Sequence, residues 1–349
     1  MTGRPGLCGL VFAVVSLAQT ITPSPATLTQ TFALNAAPST VTVSLAGTGT
    51  VKTSYATESG GNWLAVTPIQ GSLPLAATVT LDPSGLPDGT YLGSIAAGSA
   101  NIPVVILVGD PGPQLPTNGI VNAASYLGGA ISPGEIITLF GTSIGPKIPY
   151  LAQVWEGVMT TKLAGARVWI DNTPAPVIYA YPNQLAVVVP YEVAGKTSVL
   201  VQVENMVART PPFSVPVQSA TPGFFTANGS GKGQLAALNQ DNSFNSPSNP
   251  ASGGAAVVLY ATGMGVLSPA ASDGMIVVST PLPAPVLPVR VTIGGRSAQV
   301  LYAGSAPGLV AGAIQINVAV PSGIGVADAE VIATVGTFST PNGCTISVH

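Results

Sequence analysis

The sequence predicts an all-β protein built as three β-sandwiches in tandem, on three observations. Two stretches are copies of one another: Ser132-Pro-Gly-Glu-Ile-Ile-Thr-Leu-Phe-Gly-Thr-Ser-Ile-Gly145 aligns without a gap on Ser252-Gly-Gly-Ala-Ala-Val-Val-Leu-Tyr-Ala-Thr-Gly-Met-Gly265. Two further blocks follow in the same order. Val168-Trp-Ile170 with Ala175-Pro-Val-Ile-Tyr-Ala180 matches Val291-Thr-Ile293 with Ala298-Gln-Val-Leu-Tyr-Ala303, and Gln184-Leu-Ala-Val-Val-Val-Pro190 matches Gln315-Ile-Asn-Val-Ala-Val-Pro321. One module is therefore used twice, with an insertion near residues 304–311. Ahead of the repeats, apolar residues alternate with polar ones between glycine and proline turns, the pattern of half-buried strands. Finally, 46% of the 349 residues are hydrophobic and only 7% charged, with 41 glycines and 33 prolines. An average soluble domain carries roughly 25% charge. A surface so poor in charge must be made of Ser, Thr, Asn, Gln and backbone, which suits many short strands joined by tight turns.

The chain opens with an expected secretory signal at residues 1–18. Arg4 supplies the positive start, Leu7 to Leu17 the apolar stretch, and Ser16-Leu-Ala18 the small residues a signal peptidase needs. The apolar run is too short to span a membrane, and no later stretch is long enough. Removal of the signal takes Cys8 with it and leaves Cys344, so no internal disulfide can form. Cys344 reads as an ordinary strand residue. Residues 19–28 read as a Thr/Pro/Ser linker.

From Thr29 the alternation begins. Thr31-Phe-Ala-Leu34, Thr40-Val-Thr-Val-Ser-Leu45, Trp63-Leu-Ala-Val-Thr-Pro68, Ala77-Thr-Val-Thr-Leu81, Tyr91-Leu-Gly-Ser-Ile95 and Ile102-Pro-Val-Val-Ile-Leu-Val108 are strands between turns at Gly47, Ser59-Gly-Gly61, Gly71 and Gly85-Leu-Pro-Asp-Gly89. The series Trp63-Leu-x-Val-x-Pro68, Gly71, Val79-x-Leu81 and Gly89-Thr-Tyr-x-Gly-x-Ile95 resembles a BACON domain over residues 29–109. That resemblance implies a small immunoglobulin-like sandwich of secreted proteins, whose members are proposed either to bind carbohydrate or mucin or to serve as spacers.

Asp110-Pro-Gly-Pro113 reads as a stiff linker. The first repeat occupies 110–217 and the second 218–348, joined at Thr221-Pro-Gly-Phe-Phe225. Five motifs in order, Gly119-Ile-Val-Asn-Ala-Ala-Ser-Tyr126, Ile131 to Gly141, Gly233-Gln-Leu-Ala-Ala-Leu-Asn239, Asn245-Ser-Pro-Ser-Asn-Pro-Ala251 and Val258 to Gly265, are similar to the uncharacterised C-terminal region of secreted acidobacterial proteins. Each half resembles an IPT/TIG immunoglobulin-like module. The resemblance implies three immunoglobulin-like sandwiches and assigns no activity.

Candidate chemistry is sparse. Net charge of −3 gives no basic footprint for nucleic acid and no polybasic membrane patch. Gly141-Thr-Ser143-Ile-Gly145 fits a nucleophile elbow, but that device needs a following helix, an acid and a histidine. The one histidine is His349, and the copy places Gly263 at the serine position, so the motif reads as a bend. Gly229-Ser-Gly-Lys232-Gly233 lacks the Lys-Ser/Thr of a phosphate loop and reads as a hairpin tip. Asn239, Asp241, Ser243 and Asn245 space oxygen side chains two apart, a thin candidate for calcium, since such residues also build turns without metal. Asp328 and Glu330 share a strand face on an expected solvated edge. No catalytic set, metal centre or cofactor is expected.

Aromatic residues remain. Tyr150, Trp155, Trp169, Tyr181 and Tyr191 lie in the first repeat, where exposed rings could stack on sugar faces. Trp63, Tyr179 and Tyr302, at motif- or repeat-matched positions, are expected in the core. Tyr150 and Trp155 have no counterpart in the second repeat and are the candidate ligand-binding residues. The expected function is a secreted or cell-surface, non-enzymatic structural or adhesive protein, with extracellular polysaccharide or a cell-surface protein as partner. A carbohydrate-binding module acting through exposed aromatics is the alternative. Pro103, Pro190, Pro216 and Pro321 are expected to blunt sheet edges against pairing with other chains.

Overall fold

A computed structural model describes residues 20–109, 112–278 and 280–349, so the expected signal and Cys8 lie outside the described residues. The protein is all-β, with one short 3₁₀ turn at Tyr191–Val193 as the helical element among the described residues. It divides into two compact units, up to Pro111 and from Gly112 onward.

The first unit is a sandwich. One sheet runs in the order Thr22–Ser24, Ser39–Ala46, Leu75–Leu81, Leu64–Thr67; the other runs Leu28–Phe32, Ala100–Val108, Gly89–Ala97, Thr50–Thr57, Gln70–Ser72. Alternation decides which side chains enter the core: Val43 and Leu45 point in while the intervening Thr42 and Ser44 face out. Of residues 19–28, expected as a linker, those described, 20–28, are instead part of the fold. Thr22–Ser24 pairs antiparallel with Ser44–Ala46, and Ile21 is buried against the core.

The BACON-like motif residues form one packing unit. Trp63 is 2% exposed and its indole N–H donates to the Ser59 carbonyl at 2.8 Å. Gly93 lies beneath it: an added Cβ would stand 3.1 Å from the ring and 2.9 Å from the Ala56 carbonyl. The Tyr91 hydroxyl donates to the Pro87 carbonyl at 2.8 Å. A large ring over a glycine thus explains the Trp…Tyr-x-Gly spacing. Pro103, expected to blunt a sheet edge, instead sits inside Ala100–Val108, which is paired on both sides; it lies opposite Ser94, one residue before Leu28–Phe32 begins to pair at Val104.

The second unit holds both repeats, each with its own core. In the first repeat, a five-stranded sheet (Ile120–Asn122, Ile136–Phe140, Gln184–Val188, Val177–Tyr181, Tyr150–Leu151) faces a second one built on Ala166–Ile170 and Ser198–Asn205. In the second repeat the two sheets are continuous, because Arg296–Ser305 runs unbroken from one to the other, pairing first with Val289–Ile293 and then with Ile314–Ala319. The first repeat cannot do this. Pro174 and Pro176 stand where the second has Ser297 and Gln299, and the strand breaks into Thr173–Pro174 and Val177–Tyr181.

The repeats are not beads on a linker. Ile136 and Val188 of the first pack with Val310 and Ala313 of the second in a small shared core. The insertion near 304–311 therefore serves as inter-repeat packing. Asp328 and Glu330 are exposed as expected, but their strand Asp328–Val335 is paired on both sides rather than lying at an edge.

Candidate functional site

A carboxyl group with no exposed surface lies at the junction of the repeats. Glu135 is fully enclosed. Its Oε1 accepts from the Asn122 side-chain amide at 2.8 Å; its Oε2 meets the Ser132 backbone N–H at 2.7 Å and the Thr221 hydroxyl at 2.6 Å. Burial pushes its carboxyl up to about 7, against the hydrogen bonds that pull the other way. Asn122 also donates to the Thr221 carbonyl, and Thr262 of the second repeat accepts from Ile136 N–H at 2.8 Å while donating to the Gly312 carbonyl. Sequence reasoning misses this network. The one signal for it is an acid, Glu135, inside the apolar block that reads Ala255 in the other copy.

A second acidic contact bridges the repeats. Asp273 accepts from the Tyr191 backbone N–H at 2.9 Å and is hydrogen-bonded to Glu192. Burial, then the neighbouring carboxyl, raises Asp273 to about 6. Tyr191 is half-buried against the core of the second repeat, its hydroxyl pushed up by burial and by Asp273, so it is not a freely exposed ring.

Tyr150 and Trp155 lie on an apolar ribbon. Trp155 is 74% exposed, and Ile148, Leu151 and Val154 are exposed beside it. Glu156 and Gly157, both with positive φ, close the two-residue turn between Val154–Trp155 and Val158–Met159. The far edge is anchored by the second repeat: Met159 N–H donates to the Gly274 carbonyl at 2.9 Å and Ile276 N–H to that of Gly157 at 2.8 Å. Tyr150 pairs with Ala180 at the edge of a different sheet, so the two candidate rings belong to separate sheets. Trp169 is occupied by its own neighbours, between the Arg167 and Arg209 guanidinium groups at 5.0 and 4.6 Å, with its N–H on Glu204 at 3.0 Å.

The oxygen-rich loop is internally bonded. The Asp241 carboxylate accepts from both the N–H and the hydroxyl of Ser243; the Asn239 Oδ1 accepts from Asn245; the Asn245 Oδ1 accepts from Gln234 and from the Ser347 N–H. Ser143 sits at φ 53° and its counterpart Gly263 at φ 77°, so both copies turn through the left-handed region. His349 lies in the other repeat, against Ser252 at 3.2 Å. Cys344 is buried on the strand Cys344–Ser347.

Tyr179 and Tyr302 are not core residues. Both sit on the outward faces of their sheets, half-buried, with hydroxyls bonded by Gln184 at 2.6 Å and to the Ser305 carbonyl at 2.9 Å.

Residues 20–110 match the family model of the Viral BACON domain, about where the motif residues form the first sandwich. No curated protein matches the chain. Solved structures with some similarity include the I9–I11 tandem from titin (9% identity, 95% of this chain and 98% of that one, TM-score 0.21). They also include a surface glycan-binding protein from Prevotella bryantii (11%, 66% and 41%, TM-score 0.21) and domains 5–6 of the S-layer protein SbsC (14%, 57% and 96%, TM-score 0.20).

Proposed function

We propose that the chain is a non-enzymatic protein of the cell exterior, a structural and adhesive module that engages its partner through the ribbon around Trp155. The observation that carries this reading is the 74% exposure of Trp155 on a hairpin held at its turn and along its far edge. A rigid, exposed indole loses little conformational freedom on binding, and such residues dominate interface energetics. The perturbed acids support a scaffold. Both oxygens of Glu135 are engaged by the chain. Asp273 and Glu192 touch each other, closer than the roughly 5 Å a glycosidase pair keeps around its substrate.

The test is binding of the full chain to bacterial surface preparations and a glycan array, with Trp155→Ala beside it. Saturable binding weakened about 30-fold by the substitution is expected, the scale of an interface hot spot. Binding that is unchanged in Trp155→Ala removes the ribbon from the reading. Turnover of any polysaccharide in a panel removes the non-enzymatic assignment.

A further inference from the structure

The outward face of the first repeat's five-stranded sheet changes character from row to row. Cross-strand register places Ile136 beside Val188, then Thr138, Ala186, Tyr179 and Leu151, then Phe140, Gln184 and Tyr181. The first row is covered by the second repeat. The next two form an aromatic floor that leads away from the junction: Thr138 and Ala186 are enclosed within it, while Tyr179, Phe140, Gln184 and Tyr181 are half-buried. Tyr179 and Tyr181 lie with ring centres 5.0 Å apart, and Tyr126 leans on Phe140 at 6.4 Å. At the covered end the floor enters a cleft of about 330 Å³, closed by Phe225 and Thr226 of the second repeat.

We propose that this floor and cleft bind a neutral polysaccharide, an inference that rests on the reading of the chain as an extracellular interaction protein. The chemistry of the lining selects the ligand. Sugars present apolar C–H faces to rings and hydroxyls to neutral donors and acceptors, and the floor sets Tyr126, Tyr179 and Tyr181 beside the neutral amide of Gln184. No charged side chain lines the cleft, so nothing there recognises a phosphate, a uronate or a basic peptide. The site is also set before any ligand arrives. Gln184 and Thr138 both hold the Tyr179 hydroxyl, fixing its ring.

Tyr126 adds an independent sign. Its backbone stands at φ 57°, a conformation a bulky residue rarely takes and one that costs on the order of 1 kcal/mol or more. It is nonetheless 39% exposed, so its ring is not held there by a core. The second repeat serves as an internal control. It keeps Tyr260, Gln315 and Tyr302 at the positions of Phe140, Gln184 and Tyr179, but has Gly304 where Tyr181 stands.

The experiment is affinity electrophoresis of the full chain in gels of hydroxyethylcellulose, xylan, galactomannan and laminarin, with polygalacturonate as the anionic polymer. Retardation by at least one neutral polymer and none by polygalacturonate is expected. Tyr181→Ala and Tyr126→Gly should each weaken it tenfold or more, and Tyr260→Ala should leave it unchanged. Tyr126→Gly should melt no lower than the parent, because it relieves a left-handed backbone; a purely structural tyrosine would lower the melting point. A panel with no neutral binder overturns the proposal, as does binding that survives both first-repeat variants. Binding lost in Trp155→Ala alone overturns the floor while sustaining the ribbon. Surface-protein binding with a blank polysaccharide panel overturns the saccharide and leaves the interaction reading standing.

Discussion

Glu135 in the first repeat, itself fully buried, and the half-buried Thr221 at the junction share a hydrogen bond of 2.6 Å. An acid there is tolerated because every oxygen has a partner and because burial keeps the group protonated in acid and near-neutral solution. The sign of the pH effect follows. Glu135 is raised from an ordinary 4.5 to about 7, and Asp273 from 3.8 to about 6. Their contribution to folding is fully present below the unfolded values and is lost as pH rises through about 6 and 7. Stability of the second unit should therefore fall between about pH 4 and 7, from the unfolded values up to the folded ones, by roughly 1.4 kcal/mol for every tenfold gain in proton affinity on folding. Hydrogen exchange resolved to peptides of residues 112–349 measures it. Glu135→Gln should flatten the upper part of the profile; an identical slope in that variant would show that Glu135 does not titrate there.

Gly312 stands where the insertion of the second repeat meets the first. A Cβ on it would lie 2.0 Å from the Gly134 carbonyl, a backbone atom that cannot swing aside. Gly312→Ala should separate the shared core of Ile136, Val188, Val310 and Ala313, at a cost of roughly 1–3 kcal/mol. The expected signature is faster exchange at 306–313 and 132–136, with exchange in residues 20–109 unchanged. Uniform acceleration across the chain would mean that the contact is not local to the junction.

Much of this fold was legible because strand alternation and turn glycines are local signals: the inward Val43 and Leu45 and the repeated Val-Pro ends follow from spacing, and the core placement of Trp63 from the motif it belongs to. The signals that failed were those that needed the partner surface. Thr22–Ser24 reads as a linker because its Pro/Ser composition is that of a loop; only its pairing with Ser44–Ala46 makes it a strand. Tyr179 and Tyr302 read as core because both copies keep them, yet shared positions can be shared surface, and both lie on outward faces. Glu135 stands out in the sequence as an acid in an apolar block, but its network does not, because its partners Asn122 and Thr221 are distant along the chain. The exposure of Trp155 was legible, since the second copy has no counterpart; its anchoring by Gly274 was not.

The Asn239–Asn245 loop should not depend on calcium. The oxygens of Asn239, Asp241 and Asn245 already accept hydrogen bonds from the chain, and Asn245 ties the loop to Ser347 on the last strand through two bonds of 2.9 and 2.8 Å. The melting midpoint is expected to be the same with EGTA and with millimolar calcium. Asn245→Ala should lower stability by roughly 1–3 kcal/mol, because it leaves the buried Ser347 N–H without its partner, while the Ser347 carbonyl keeps the Ala251 N–H at 2.9 Å. A calcium-dependent rise in the midpoint would reverse this reading and place a cation in the loop.

Ser143 and Gly263 occupy equivalent positions with positive φ, and the same chemistry exchanged between them should have opposite effects. Ser143 at φ 53° bears the strain of a side chain in the left-handed region, and its carbonyl is held by the Asn205 amide at 2.8 Å. Ser143→Gly removes that strain but frees the unfolded chain, so it should range from neutral to about 1 kcal/mol stabilising. Gly263 has no such freedom. Its carbonyl accepts from the Thr221 N–H at 2.8 Å, and an added Cβ would stand 2.1 Å from the Thr221 carbonyl. Gly263→Ser should therefore displace the residue that bonds Glu135, costing more than the roughly 1–3 kcal/mol of backbone strain alone. It should also change the pH profile, since an opened network admits water to the carboxyl and lowers its proton affinity. Urea unfolding of both variants at pH 5 and pH 8 reads stability and linkage together. Equal destabilisation by the two substitutions, or a pH profile unaltered in Gly263→Ser, would disconnect the repeat's second bend from the buried acid.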